Sequence, residues 1–233
     1  RIINKVSLEL KYKTYIVGGF VRNLILENNS QDNDIDFVCV GDGIHLAKKL
    51  TKYLSKKHKL TFFKNFGTAM ITLDSKNYEF VGARKESYRL NSRKPLIKEG
   101  TLSDDQQRRD FTINAMSISL NKEDYGKLID PFNGQNDLKA KIIRTPIDPD
   151  VTYSDDPLRM MRAIRFASQL AFNIDAASLG SIKRNKDRLS IVSQERITSE
   201  FNKILLSEKP SIGLNLLFET KLMEQFLPEL KDL

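Results

Sequence analysis

The period of the apolar positions changes repeatedly over the first 140 residues. YIV (residues 15–17), IDFVCV (35–40), TAMITL (68–73), YEFVGA (78–83) and MSISL (116–120) are short runs rich in β-branched and aromatic residues, which predict strands. Between them, stretches such as residues 43–57 carry apolar residues at helical spacing. Beyond residue 141 the chain reads as helices only. Met160, Ala163, Ala167 and Leu170 fall at i, i+3, i+7 and i+10, and Ile197, Phe201, Ile204 and Leu205 at i, i+4, i+7 and i+8, so each helix is expected to show one core-facing stripe. The predicted class is α+β: a mixed head over residues 1–140 and a helical part over 141–233. The boundary is expected within 141–149, where the two prolines of IIRTPIDPD impose extended geometry. There are no repeats and no low-complexity linker.

Several segments add chemistry to this frame. In YIVGGFVRN a strand-like run is broken by Gly18 and Gly19 and resumes with helical spacing. Such a turn lets backbone approach a ligand closely and aims helix amides at it, and Arg22 adds a forked donor suited to phosphate. A simple tight turn is the alternative for the glycine pair. In QDNDIDFVCV, Asp34 and Asp36 lie one residue apart, so a strand points both carboxylates to one face and Ile35 and Phe37 to the other. Like charges this close are unfavourable unless a cation neutralises them, and Mg²⁺ takes one or two carboxylates plus substrate phosphates. A solvated strand edge would carry the same pair. Arg108, Arg109 and Asp110 in RRDFTINA read, on their own, as a solvated helix start. Asp156 before Pro157 reads equally as an N-cap with proline at the first helical position or as half of a recognition pair with Arg159, three residues on.

GGFVRN followed by DIDFV resembles the head of the class II tRNA nucleotidyltransferases (CCA-adding enzymes) and bacterial poly(A) polymerases, which are polymerase-β-like nucleotidyltransferases. The resemblance continues in order through RRDFTINAM (108–116), DPFNGQNDL (130–138), DDPLRMMRAIRF (155–166) and ERITSEF (195–201). It implies a polymerase-β-like head and helical neck that add CCA to the tRNA 3′ end from CTP and ATP. The RNA 3′-hydroxyl would attack the α-phosphate and pyrophosphate would leave. The resemblance also implies that Asp34 and Asp36 hold Mg²⁺, with Glu79 on a further predicted strand as a third acid. Nucleotide contacts fall to Gly18, Gly19, Arg22, Arg108, Arg109, Asp110, Asn114, Asp155, Asp156, Arg159 and Arg162, with Asp110 accepting from the ribose. A carboxylate accepts from an amino group and a guanidinium donates to a ring nitrogen, so an Asp156/Arg159 pair suits cytosine (N4, N3) and adenine (N6, N1). Guanine and uracil present the reverse pattern. The charged residues of ERITSEF, Arg196 and Glu200, would brace the base-reading helix.

Two positions depart from the family pattern: Asn23 and Asp155 stand where an acid and a glutamate are usual. The Gly-Arg-Arg-Phe-like stretch typical of the poly(A) polymerases is missing from FFKNFGTAMITL, which favours tRNA. Residues 86–107 read as a full-length flexible loop made basic by Arg89, Arg93 and Lys94, which favours addition of the terminal A over a CC-only enzyme. The alternatives are a poly(A) polymerase, a CC- or A-adding specialist and a non-catalytic RNA-binding module.

Charge agrees with a polyanionic partner. Of 233 residues, 40% are hydrophobic and 29% charged, ordinary for a globular protein, but the formal net charge is +8. DNA or an anionic surface would satisfy this balance as well as tRNA. The lone Cys39 reads as a small buried hydrophobe, His45 and His58 as surface or packing residues, and Phe62, Phe63 and Phe66 as core. With no membrane-length apolar run and no signal-peptide pattern, the expected location is cytoplasmic. The chain opens on Arg1 rather than methionine, as a piece of a longer protein would.

Overall fold

The computed structural model describes residues 1–27, 34–54, 57–64, 67–89 and 92–230, with side chains outside 87–96 and 230. The chain forms two compact units. One comprises Arg1–Lys85, Ile97–Arg109 and Ile113–Gln135, the other Glu86–Leu96, Asp110–Thr112 and Asn136–Leu233.

The first unit opens with α1 (Ile2–Leu10), β1 (Lys13–Val17), α2 (Gly19–Ile25), β2 (Asp34–Val40) and α3 (Gly43–Thr51). Strands β3 (Lys59–Phe63), β4 (Thr68–Leu73) and β5 (Lys76–Gly82) follow, then β6 (Arg84–Arg89) and β7 (Ser92–Glu99), which belong mostly to the second unit, and then, back in the first, α4 (Leu102–Gln107), β8 (Ser117–Ser119) and β9 (Leu128–Ile129). Seven strands form one sheet in the order β3-β4-β5-β2-β1-β8-β9. Every neighbouring pair is antiparallel except β2 and β5, which run parallel because α3 carries the chain over the sheet between them. Positive φ at both Asp74 and Ser75 supplies the tight turn that joins β4 to β5.

Alternation sorts the two faces. Phe37, Cys39, Ala69, Ile71 and Phe80 pack under α1 and α3 with Val6, Leu46, Ala47 and Leu50, and the Phe37 and Phe80 rings stack at 4.9 Å. Tyr15, Val17, Val38 and Ala83 form a second cluster on the opposite face, beside Leu102 and Ile129. Asp36 shares that second face with Val38 by the period of two. The two-residue hydrophobic alternation on β2 therefore decides where the acids point.

The start of α3 sits tightly on β5. Asp42 caps the helix by accepting from the backbone of Ile44 (2.8 Å) and His45 (3.1 Å), while a Cβ on Gly43 would lie 2.7 Å from the Val81 backbone. Backbone cannot yield as a side-chain tip can. Gly43→Ala is expected to lower unfolding stability by about 1–3 kcal/mol, measured by urea denaturation, although alanine is the better helix former.

In the second unit, α5 (Gly134–Ala140), which begins in the first, leads to β10 (Ile142–Ile143), α6 (Pro149–Asp155), α7 (Leu158–Leu170), β11 (Asn173–Ile174), α8 (Ala176–Asn185), α9 (Gln194–Leu205) and α10 (Pro210–Glu219). Helix α7 is the centre, contacting α9 and α10. Its Met160, Met161, Ala163, Ile164 and Ala167 are fully buried.

The structure corrects several expectations. Residues 86–107 are not a flexible loop: most belong to the β6–β7 hairpin and α4, and the side chains of Arg89, Arg93 and Lys94 lie outside the described residues. The helix expected over 43–57 ends at Thr51. Phe62 and Phe63 are 37% and 40% exposed on edge strand β3, where Lys48 lies over the Phe62 ring, and Phe66 falls outside the described residues. Helix α7 is buried on most of its circumference instead of along one stripe, and Leu205 is exposed on α9. The region read as all-helical holds a short parallel pair, β10 with β11. Asp148, before Pro149, has the extended ψ of 125° expected there, and Pro149 itself opens α6 behind that N-cap. Cys39 is buried as expected, and burial pushes its thiol up to about 12.

Candidate active site

On β2, Asp34 and Asp36 project from the face away from α3, and the parallel register places Glu79 of β5 directly beside Asp36. Asp34 is exposed and accepts a hydrogen bond from the Asn77 amide at 2.9 Å. Burial raises the Asp36 carboxyl above the usual carboxylate range, the nearby Arg109 opposes this, and Asp34 and Asp105 add to it. Glu79 is exposed overall, yet the cavity wall desolvates its carboxyl and raises it, with Asp36 and Asp34 reinforcing the shift. The three acids therefore repel one another across one patch of sheet.

A cavity of about 290 Å³ opens over this patch, lined by Val17, Asp36, Thr68, Glu79, Val81, Arg84, Arg108 and Arg109. Gly18, at φ 77°, follows the lining residue Val17 and lies beside two others, Asp36 and Arg109. A Cβ there would stand 3.3 Å from both Arg109 Nη1 and Asp36 Oδ2. The expected strand, glycine turn and helix are all present, and the positive φ favours glycine at this position. Arg22 is placed differently from the phosphate donor the motif suggests. It is buried, donating from Nε to Asn23 Oδ1 (2.9 Å) and from Nη1 to Asn114 Oδ1 (2.8 Å), and it is not among the cavity-lining residues. Asn23 thus accepts from Arg22 at the position where an acid is usual.

Arg108 and Arg109 reach the cavity from the end of α4. Both grip Asp105, which is fully buried: Arg108 Nη2 donates to one carboxylate oxygen, and Arg109 Nε and Nη2 to the other at 3.0 and 2.9 Å. Burial alone would raise the Asp105 carboxyl, but the two guanidinium groups outweigh it and hold it below the usual range. A depressed folded-state value means that the pair stabilises the fold above the unfolded-state pKa of about 3.9 and that this contribution is lost as pH falls through the lower folded-state value. Asp105→Asn is therefore expected to flatten the acid limb of a stability–pH curve below about pH 4, at a cost near neutrality of about 3–5 kcal/mol.

Asp110 falls in the second unit, with Arg162 of α7 donating from Nε to its carboxylate at 2.8 Å and the Phe111 amide to its other oxygen at 2.9 Å. Phe111 meets Phe166 edge-on. Asp155 ends α6 and Asp156 follows it, its carboxylate accepting from the Leu158 amide at 3.3 Å, so part of the N-cap reading holds. Arg159 is 8% exposed, with Nη1 3.5 Å from the Thr152 carbonyl. Burial raises the Asp155 carboxyl, and the Arg159 charge opposes the shift. Glu200 of α9 pairs with Arg165 of α7 at 2.6 Å, the bracing expected of ERITSEF, whereas Arg196 is exposed.

The donor set fits a hard divalent cation held in part by substrate. Asp34 and Asp36 offer two carboxylates on one face, while among the described residues no three His, Cys, Asp or Glu side chains could hold a metal ion by themselves. Two carboxylates on one face suit a hard divalent cation that completes its shell with water and phosphate.

The family described as "Poly A polymerase head domain" matches residues 14–144, more than half of the chain. The chain belongs to this family. A second match, "Probable RNA and SrmB- binding site of polymerase A", covers residues 171–233. The chain is 40% identical to a CCA-adding enzyme of Pediococcus pentosaceus over 99% of its length and 55% of that protein's, and 37% identical to an A-adding tRNA nucleotidyltransferase of Aquifex aeolicus over 92% of its length and 26% of that protein's. It superposes with a TM-score of 0.88 on a CCA-adding enzyme without ligand (33% identity, 98% of this chain, 53% of that one). With a tRNA nucleotidyltransferase bound to primer tRNA and an incoming ATP analogue the TM-score is 0.82 (33% identity, 97% and 62%). The chain thus spans about half of the curated CCA-adding relatives and about a quarter of the A-adding one. The expected polymerase-β-like head and helical C-terminal region are both found.

Within this family head, Asp34, Asp36, Glu79, Arg108, Arg109 and Asn114 fall inside the matched residues, while 155–162 lie between the two matches. Sequence reading missed Arg84, Asp105, Gln106 and Arg165. Gln106 is buried and donates to the Ala115 carbonyl (2.9 Å), Ser117 Oγ (3.1 Å) and the Ile129 carbonyl (3.3 Å). The i, i+3, i+4 spacing of Asp105 to Arg108 and Arg109 was a usable signal.

Proposed function

We propose that this chain is the catalytic part of an enzyme that adds CCA to the 3′ end of tRNA from CTP and ATP without a template. The observation that carries the reading is a single cavity that sets an acid face, Asp36 and Glu79 with Asp34 on the same strand face, against three arginines, Arg84, Arg108 and Arg109. Acids alone would suit a metal and arginines alone an anion; together they suit a metal-bound triphosphate.

In this reading Asp34 and Asp36 hold Mg²⁺, and Glu79 completes the acid face. Bound there, the ion supplies charge neutralisation at the reacting phosphate and activation of the attacking hydroxyl. Arg108 and Arg109 donate to the triphosphate, and the Gly18–Gly19 turn leaves room for it. Asp110, held by Arg162, keeps acceptor capacity for a ribose hydroxyl, which selects ribonucleotides. Asn114 and Arg22 support the glycine turn from behind. Asp156 and Arg159, with Asp155 beside them, read the amino group and ring nitrogen of cytosine and adenine. The RNA 3′-oxygen forms a bond to the α-phosphorus as the α–β bridging bond breaks, releasing pyrophosphate.

The CCA-adding relatives and the likeness to a tRNA-bound structure support tRNA as substrate, and the net charge of +8 suits it. No described helix is long and apolar enough to cross a membrane, and we place the activity in the cytoplasm, where tRNA is. The similarity to an A-adding enzyme favours one second reading, addition of the terminal A alone. Pyrophosphate release tests both: with a tRNA lacking its CCA, release is expected from CTP alone, and chelation of divalent cations should stop it. Release from ATP alone on a tRNA ending in CC, with none from CTP on any tRNA, would select the A-adding reading.

A further inference from the structure

We infer that Asp105 is a positioning residue for nucleotide binding, a fully buried carboxylate that sets Arg108 and Arg109 as a pair on the cavity wall. The inference rests on the reading of that cavity as the triphosphate site.

Three observations carry it. Asp105 is 0% exposed and both of its oxygens are taken by these two arginines, whose guanidinium ends still reach the cavity that Asp105 itself does not line. Arg109 Nε and Nη2 converge on one Asp105 oxygen, two bonds that restrain the orientation of the guanidinium and leave Nη1 beside Gly18, 3.4 Å from the Asn114 carbonyl. Helix α4 is itself held at both ends. A capping box between Thr101 and Asp104 fixes its start, and Gln106 ties its end to the backbone of Ala115 and Ile129. A carboxylate on a rigid helix turn, aimed at two arginines rather than at solvent, is an arrangement that orients donors before a ligand arrives. Without Asp105, Arg109 has a competing acid in Asp36, which flanks the same point in space.

The alternative is that Asp105 only balances charge, and the two roles predict opposite signs. If it only offsets positive charge, removing it strengthens anion binding. If it positions the forks, removing it weakens anion binding, because Asp105→Asn keeps the shape but cannot hold Nε and Nη2 of Arg109 on one acceptor while also serving Arg108.

The experiment is calorimetric titration of inorganic pyrophosphate into the chain, its Asp105→Asn form and its Asp105→Glu form, with thermal melts of each and kcat and KM for CTP. Both variants are expected to bind pyrophosphate about tenfold more weakly and to raise KM for CTP by a similar factor, with kcat changed less than about threefold and KM for the RNA unchanged. Tighter pyrophosphate binding by Asp105→Asn, or affinities within about twofold of the parent in a folded variant, overturns the inference. Should Asp105→Asn fail to fold, Asp105→Glu decides, since it keeps the charge and displaces the carboxylate by one methylene; unchanged affinity there overturns the inference equally. Pyrophosphate binding needs no turnover. A parent chain that binds it, loses it in the variants and yet incorporates no nucleotide would contradict the proposed function and leave the positioning role supported. A parent that does not bind pyrophosphate contradicts the positioning role.

Discussion

Asp36→Ala is expected to reduce nucleotide incorporation on the order of a thousandfold or more while leaving the protein folded. The carboxylate sits on the sheet face that carries Asp34 and Glu79, with Arg109 nearby as the opposing charge. Removing it takes away half of the paired carboxylate donors on β2 and leaves Glu79 of the neighbouring strand without its partner acid. Stability should move little, because the lost interaction with Arg109 is offset by relief from burial and from repulsion by two acids. Asp34→Ala should act in the same direction. The check is single-turnover incorporation of CTP alongside a thermal melt. Incorporation within about tenfold of the parent would remove Asp36 from the reaction centre, and a collapse of the melting temperature would make its role structural.

Arg159→Ala is the second large effect, and it is one of selection. CTP and ATP would lose a donor to a ring nitrogen, at about 1–3 kcal/mol, whereas UTP and GTP never matched it. The preference for CTP over UTP, as a ratio of kcat/KM, should therefore fall by about tenfold to a hundredfold, with the change on the CTP side. Asp156→Ala should behave alike. Arg159 is buried with Nη1 at the Thr152 carbonyl, so truncation also loosens the turn between α6 and α7. Incorporation of the four nucleotides by Arg162→Lys provides the comparison, since Arg162 is held to Asp110 instead. An unchanged CTP-to-UTP ratio in Arg159→Ala would assign base reading elsewhere.

How much of this was legible in the sequence follows from the range of each interaction. Asp34 and Asp36 share a face because strands alternate, a local rule, and Gly18 needs its backbone freedom for a local reason too. Glu79 was legible as a strand residue, but its place beside Asp36 depends on the β2–β5 register, set by a crossover through α3 that no local pattern encodes. The β6–β7 hairpin was misread because its sequence, RKESYR and SRKPLIKE, is charged and lacks the apolar alternation that marks a half-buried strand. Phe62 and Phe63 were assigned to the core by composition, yet adjacent residues of an edge strand face opposite sides and both stay exposed. The spacing of Asp105, three and four residues before two arginines, signalled a pairing in the sequence, but not that the carboxylate is buried. The split of RRDFTINA, Arg108 and Arg109 in one unit and Asp110 in the other, is a tertiary fact with no sequence signature.

The measurement that bears most directly on the account is extension of a tRNA lacking its 3′ CCA, resolved to single nucleotides, with magnesium and with CTP, ATP or both. Two additions are expected with CTP alone and three, C, C and A, with both, followed by a stop, and none of these with Asp36→Ala. A long A tract from ATP, or no extension by a chain that binds both tRNA and nucleotide, would contradict it.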